Sequence, residues 1–225
     1  MRGSQPERAT PRRRYRAQVR DEIKAIALGQ LAESGPGGIS VNAIARELGV
    51  SGPALYRYFA SREELLTELL IDAYDDLADA IRTAVAVVRH RGARPRLEAL
   101  ARAFRAWAVA QPHRYRLLYG PPLPGYDAHA ERLIQAGQAS MNILVDILRD
   151  AGGHPTPRIN RQLRSELSNW AKGRGIDIDA ANALRAVLIW SRLHGFVSLE
   201  IGGNFDGMGI DGESLFDLEV AAMAA

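Results

Sequence analysis

The stretch SGPALYRYFASREELL, Ser51 to Leu66, sets Tyr56, Arg57, Tyr58 and Phe59 directly behind a serine, a glycine and a proline, on a segment whose pattern predicts a helix of about two turns. These residue types suit a polyanion with flat apolar edges. A phenol can lie on a sugar or a thymine methyl and still give its hydroxyl to a phosphate, and a guanidinium takes a phosphate or a guanine edge bidentately. A core helix would hide its aromatics, and a solvent helix would lack them. Ser51, Gly52, Pro53 and Ala54 are small or polar where such a helix would approach a groove, while Phe59 is expected to turn inward.

Other combinations of reactive residues carry less. His90, His113, His129, His154 and His194 have neither metal-ligand spacing nor an evident nucleophile, so no catalytic residue, no metal and no cofactor is expected. Asp72, Asp75, Asp76 and Asp79 share one helix face that could hold a divalent cation, but a solvated face opposite Leu66, Leu69, Leu70, Ala73 and Leu77 accounts for them better. Gly207-Met208-Gly209-Ile210-Asp211-Gly212 spells G-x-G-x-x-G, yet a helix precedes it and no strand–helix–strand unit surrounds it. An inter-helix loop is expected there instead of a dinucleotide site.

The elements that must hold Ser51 to Phe59 are helices. Nearly every periodic segment repeats at 3.6 residues and none alternates as a strand would, so the class is all-α. Val19, Ile23, Ile26, Ala27 and Leu31 make the inner stripe of a first helix, with Arg16, Arg20 and Lys24 as a basic row at spacing four. Gly35-Pro36-Gly37-Gly38 ends it. Ser40 caps a second helix to Leu48, Gly49 supplies a turn, and Ser51 caps the short helix, which together form a helix-turn-helix. Ser61-Arg62-Glu63-Glu64 opens a long helix to about residue 89. Further helices are expected near 95–110, 112–119, 127–151, 158–173, 179–201 and 213–223.

Composition bounds the rest. The 225 residues are 47% hydrophobic and 24% charged, which is ordinary for a globular chain. Cysteine is absent, which excludes disulfides and thiol catalysis. Neither a membrane span nor the apolar core of a signal peptide is visible, so a cytoplasmic protein without membrane contact is expected. The net charge is only +3, but seven arginines stand against one acid, Glu7, in the first twenty residues. That end favours a polyanion.

The stretch ISVNAIARELGVSGPALYRYFASREELLTELL, with a basic helix before it and a capped helix after it, resembles the DNA-binding domain of the TetR family of bacterial transcriptional repressors. LGVS followed by LYRYF and SREELL is far more specific than a generic helix-turn-helix. QPHRYRLLYGPPLPGYDA and IWSRLHGFVSLEIGGNF resemble the subgroup with a Trp-His-Gly signature in its regulatory domain, carried here, spaced, by Trp190, His194 and Gly195.

The resemblance implies a homodimer that puts one recognition helix of each subunit into successive major grooves of a double-stranded operator, and that binds a small-molecule effector in the larger domain. Carried over by position, Ser51, Gly52, Pro53, Ala54, Tyr56 and Tyr58 would face DNA, with phosphate contacts at Ser40 and Arg62. Arg57 and the basic residues Arg14 and Arg16 join them from charge and position. Ala54 replaces a common hydroxyl residue and Gly52 a longer base-reading side chain. Specificity is then expected to rest more on Tyr56, Arg57 and the N-terminal arm.

The expected division is a basic flexible arm at 1–14, the DNA-binding domain at 15–60, and a ligand-binding and dimerisation domain at 61–225. Phe104, Trp107, His113, Tyr115, Met141, Trp170, Trp190 and His194 are the pocket candidates, because aromatic walls with polar tips suit a small ligand. Ordinary helix-bundle core explains each of them as well. A dimer face is expected from Ala183, Val187, Trp190 or Ser191, His194, Ser198 and Ile201 with Leu215, Leu218 and Ala222. Two other readings stay open here: a small-molecule-binding helical protein or enzyme with no DNA role, and a DNA-binding activator without effector.

Overall fold

The computed structural model describes residues 10–120, 126, 131–151 and 158–224. These residues form eleven α-helices and no strand. The first, α1 (Pro11–Ser34), begins earlier than the arm division at residue 14 implies. Proline at the first helical position needs no N–H partner and has its φ already set, so Arg12, Arg13 and Arg14 stand on helix and not in an arm. A short 3-10 turn, Pro36–Gly38, follows.

In α2 (Val41–Glu47) the Ser40 hydroxyl accepts from the Ala43 amide, and Val41, Ile44 and Ala45 point inward. Gly49 sits at φ +68°, a left-handed turn that favours glycine. The next helix, α3 (Gly52–Leu55), is one turn and not two. Beyond Leu55 the chain tightens: Arg57 N–H donates to Ala54 O and Tyr58 N–H to Leu55 O, three residues back, as Phe59 is drawn into the core.

The long helix α4 (Arg62–Val87) is capped by Ser61, whose hydroxyl accepts from the Glu64 amide at 3.1 Å. Glu64 returns its carboxylate to the amide of Ala60, one residue before the position a standard capping box would use. At 1.5 Å per residue α4 is about 39 Å long, and it belongs to two cores. Leu65, Leu66, Leu69, Leu70 and Ile71 join Ile23, Ala27, Leu31, Ile44, Leu55 and Phe59. Farther along, Ala73, Leu77, Ile81 and Val85 join the larger bundle. A division at residue 60 therefore cuts through the first core, which runs on through Ile71.

The bundle comprises α5 (Ala93–Ala110), α6 (Pro112–Tyr119), α7 (Glu131–Asp150), α8 (Arg161–Gly173), α9 (Ala180–Ile201), α10 (Asn204–Met208) and α11 (Gly212–Met223). Residues 127–130, expected to start α7, lie outside the described residues, as do residues 1–9. The G-x-G-x-x-G stretch is two helix ends meeting: Gly209 closes α10 at φ +69°, and the Asp211 carboxylate caps α11 by accepting from the Glu213 and Ser214 amides. Of its glycines only Gly209 has a positive φ; Gly207 lies within α10 and Gly212 opens α11.

Phe59 is the largest side chain closing the first core. Phe59→Ala should cost about 3–5 kcal/mol, read as a lowered midpoint in urea unfolding. A loss below about 1 kcal/mol would mean that Phe59 packs loosely.

Candidate nucleic-acid interface and the aromatic cluster behind it

Tyr56, Arg57, Ser51 and Pro53 are exposed on the helix-turn-helix, and Gly52, Ala54 and Tyr58 are half-buried beside them. The Ser51 hydroxyl makes no capping bond to α3, so it is available at the surface. Ser40 is exposed while its hydroxyl caps α2, and its amide donates to Gln30 Oε1 at 2.8 Å. The hydroxyl hydrogen is still free to donate.

The basic row at spacing four is engaged within the fold. Arg16 donates to the backbone carbonyl of Arg57 at 3.1 Å. Arg20 donates to the carbonyl of Tyr58, stacks 4.0 Å over the Phe59 ring, and pairs with Glu64 at 3.6 Å and Glu68 at 3.7 Å. Lys24 pairs with Asp72 at 2.7 Å; burial opposes its charge, but Asp72 and Asp21 outweigh that and raise its pKa. The basic row at spacing four thus meets an acidic row on α4, Glu64, Glu68 and Asp72, at the same spacing. Arg62 opens α4 and donates to Ile39 O at 3.1 Å. Arg14 is exposed on the first turns of α1.

On the acidic face of α4, Asp75, Asp76 and Asp79 are exposed as expected and Asp72 is half-buried beside Lys24. Asp76 accepts from Trp107 Nε1 at 2.9 Å and from Arg114 at 2.7 Å. Among the described residues no His, Cys, Asp or Glu group could hold a metal ion.

In the bundle, four of the eight pocket candidates meet. His194 is ringed by Trp190 at 4.8 Å, Phe104 at 4.9 Å and Tyr115 at 5.9 Å between ring centres. Tyr119 is closer still, at 4.2 Å, and Tyr74 adjoins Tyr119 at 6.0 Å. The Tyr115 hydroxyl lies 3.1 Å from His194 Nδ1 and 2.8 Å from Ser198 Oγ. His194 Nε2 is buried and has no partner among the described residues. Burial lowers the His194 pKa to about 4, and burial likewise raises those of Tyr74, Tyr115 and Tyr119. The cluster is therefore uncharged at neutral pH.

The other candidates are elsewhere. Trp107 is buried in the core with its indole on Asp76, and Met141 is a core residue of α7. Trp170 stacks with Arg174 at 4.7 Å, and His113 lies in a surface depression with Leu28, Leu31 and Arg114.

A family model described as bacterial regulatory proteins, tetR family, matches residues 23–69, and one described as tetracyclin repressor-like, C-terminal domain, matches residues 97–223. HTH-type transcriptional regulator Rv1816 of Mycobacterium tuberculosis is 34% identical over 226 residues, covering 97% of this chain and 96% of that protein. The chain belongs to the TetR family. Among solved structures, the regulatory protein SCO4313 superposes with a TM-score of 0.79 at 40% identity, covering 95% of this chain and 98% of that one. A protein from Rhodococcus sp. RHA1 gives 0.68 at 25% identity, covering 98% and 97%.

This TetR-family chain is thus a DNA-binding transcriptional regulator and not an enzyme. No helix among the described residues is long and apolar enough to cross a membrane. The first model covers the helix-turn-helix and α4 as far as Leu69, short of Leu70 and Ile71 of the same core; the second covers the ring cluster except Tyr74. Within the Trp-His-Gly set, Trp190 and His194 pack together, while Gly195 is exposed with open space where a Cβ would stand. Sequence reasoning passed over Tyr74, which reaches the cluster from α4, and Arg20 as a holder of the recognition helix. The matched spacing of the two charged rows is the signal that points to Arg20; nothing local marks Tyr74.

The unfolded chain protonates histidine near pH 6.5, whereas folded His194 resists protonation down to about 4. Its neutral ring therefore contributes fully above about pH 6.5, and that contribution is lost as the pH falls towards 4. Urea unfolding from pH 7.5 to 4.5 should show this acid loss in the wild type and a shallower one in His194→Phe. Equal slopes would place His194 in a wetter site.

Proposed function

We propose that this regulator is a homodimeric repressor that binds a palindromic operator and is released by an uncharged, largely apolar effector. The observation that carries the DNA reading is the exposed Ser51–Tyr58 surface, whose carbonyl end is held by Arg16 and Arg20 so that Tyr56 and Arg57 stay outward. Ser40, Ser51, Gly52, Pro53, Ala54, Tyr56, Arg57 and Tyr58 form the contact surface, with Arg14, Arg16 and Arg62 supplying positive charge around it.

The dimer face we assign is on α9 and α11, but only partly in the register expected from periodicity. Ala183 is buried against α8 and His194 faces the ring cluster. Of the expected set Ser191, Ser198, Leu218, 70% exposed, and Ala222 do face outward, and they are joined by Leu188, 50% exposed, and Leu199, 48%, with exposed Gly195 allowing close approach. Arg192 pairs with Glu219 and so joins the two helices into one surface. Such a patch, self-complementary about a two-fold axis, suits an isologous four-helix packing.

The effector class follows from the ring cluster. Desolvating a charged ligand among neutral tyrosines, Trp190, Phe104 and a neutral His194 would leave that charge without a partner. Arg114 and Arg116, the nearby cations, are engaged by Asp76 and by the Ile201 carbonyl. The unpaired Nε2 of His194 offers one hydrogen bond to an otherwise apolar molecule.

Purified protein mixed with a random duplex library should enrich a palindrome with half-sites about 34–36 Å apart or a multiple of that. Tyr56→Ala should lose that duplex while keeping its helix content and its dimer. Dissociation of the mutant dimer would make Tyr56 structural, and failure of the wild type to enrich any palindrome would end the operator reading. In a thermal-shift screen, uncharged compounds that raise the Tm of the wild type but not of Trp190→Ala should also release the duplex. If they raise Tm and the duplex stays bound, effector release is wrong.

A further inference from the structure

Gly52 opens α3, yet it is absent from the glycines with positive φ, so its backbone does not require glycine. A Cβ built on Gly52 would stand 3.3 Å from Oδ1 of Asn42, so the carboxamide of Asn42 on α2 lies beside position 52, and a side chain there would press it aside. Asn42 is exposed, and its carboxamide makes no hydrogen bond among the described residues. Around it, the start of α3 offers Ser51, Pro53 and Ala54, which supply a single hydroxyl between them. Hydrogen-bonding capacity on the helix-turn-helix therefore lies away from these three residues, in Tyr56, Arg57 and Tyr58 behind them and in Asn42 beside Gly52.

We propose that Asn42 is a base-reading residue of this regulator and that it recognises an adenine in each half-site, in the place left open by Gly52. This rests on the assignment of the Ser51–Tyr58 surface to DNA. A carboxamide carries a donor and an acceptor side by side, and the major-groove edge of adenine presents the complementary acceptor and donor, N7 and the N6 amino group. The seat is provided by the first helix of the helix-turn-helix: α2 is fixed by its Ser40 cap and by buried Val41 and Ile44 on either side of Asn42. The recognition helix contributes by lacking a side chain.

The test is library selection with four proteins: wild type, Asn42→Ala, Gly52→Ala and the double variant, with Tyr56→Ala as the control for the surface itself. The wild type should enrich an adenine at one symmetric position per half-site. Asn42→Ala should bind that site about 5- to 150-fold more weakly and lose preference at that position alone. Gly52→Ala, whose Cβ displaces the flexible carboxamide, should relax the same position, and the double variant should add nothing to Asn42→Ala. Uniform weakening across all duplexes would make Asn42 a backbone contact, and unchanged preference would make it a bystander; either overturns the proposal. Retention of binding by Tyr56→Ala would instead overturn the assignment of the surface, a separate result.

Discussion

A helix of one turn does not form by itself, because fixing its dihedrals outweighs the few hydrogen bonds it closes. The conformation of α3 and the residues after it must be imposed, and the contact that imposes it is Arg20. Its guanidinium donates to the Tyr58 carbonyl, covers the Phe59 ring and is flanked by Glu64 and Glu68. Exposed ion pairs contribute little, but this arginine side chain is only 24% exposed and its bond to a carbonyl is charge-assisted. With Arg16 on Arg57 and Lys24 on Asp72, three rungs at spacing four tie α1 to the recognition segment and to α4. Remove the central rung and the outward pose of Tyr56 is left to the Arg16 bond and to the burial of Leu55 and Phe59.

Much of this fold is legible in the sequence where one residue settles a local question. Ser40, Gly49, Ser61 and Pro112 each mark a boundary that the structure places at or beside them, because caps, turns and breakers act within a few residues. What is not legible depends on partners far along the chain. Nothing near Arg20 says that Tyr58 and Glu68 will meet it, and nothing near Asp76 announces Trp107. The basic row therefore resembles a solvated or nucleic-acid-facing stripe until α4 is placed against it. Helix α9 shows a different limit. It is apolar nearly all round, so periodicity cannot separate the faces: of the expected set Ser191 and Ser198 face outward beside Leu188, Gly195 and Leu199, while Ala183 is buried and His194 turns into the ring cluster.

The same distinction governs the candidate sites. The helix-turn-helix is compact in sequence, so its exposed residues follow from pattern alone. The ring cluster is assembled from α4, α5, α6 and α9, and only four of the eight residues chosen for their chemistry reach it. Tyr74 joins because α4 passes Tyr119, and Trp170 does not because α8 packs on the outer side of α9.

Helix α6 shows how the two sites can communicate. It is eight residues long, begins at Pro112 and ends at Gly120, where a Cβ would lie 2.3 Å from the Arg116 carbonyl, so its end admits only glycine without rearrangement. Tyr115 and Tyr119, one turn apart, enter the ring cluster, whereas Leu117 enters the first core with Leu133 and Ala136 of α7. A rigid piece with one face in each core cannot move at one without repacking the other, since close-packed interiors have little slack. Arg132 of α7 adds a polar link, donating at 2.8 Å to the Glu68 that also flanks Arg20. In the proposed effector release, a ligand that displaces Tyr115 and Tyr119 acts on α6 and α7 together, and Arg132 of α7 shares the Glu68 carboxylate of α4 with the Arg20 that holds the recognition segment. A differential affinity of about 1–3 kcal/mol for the displaced arrangement is enough for a usable switch, because the route runs through packed contacts and one shared ion pair.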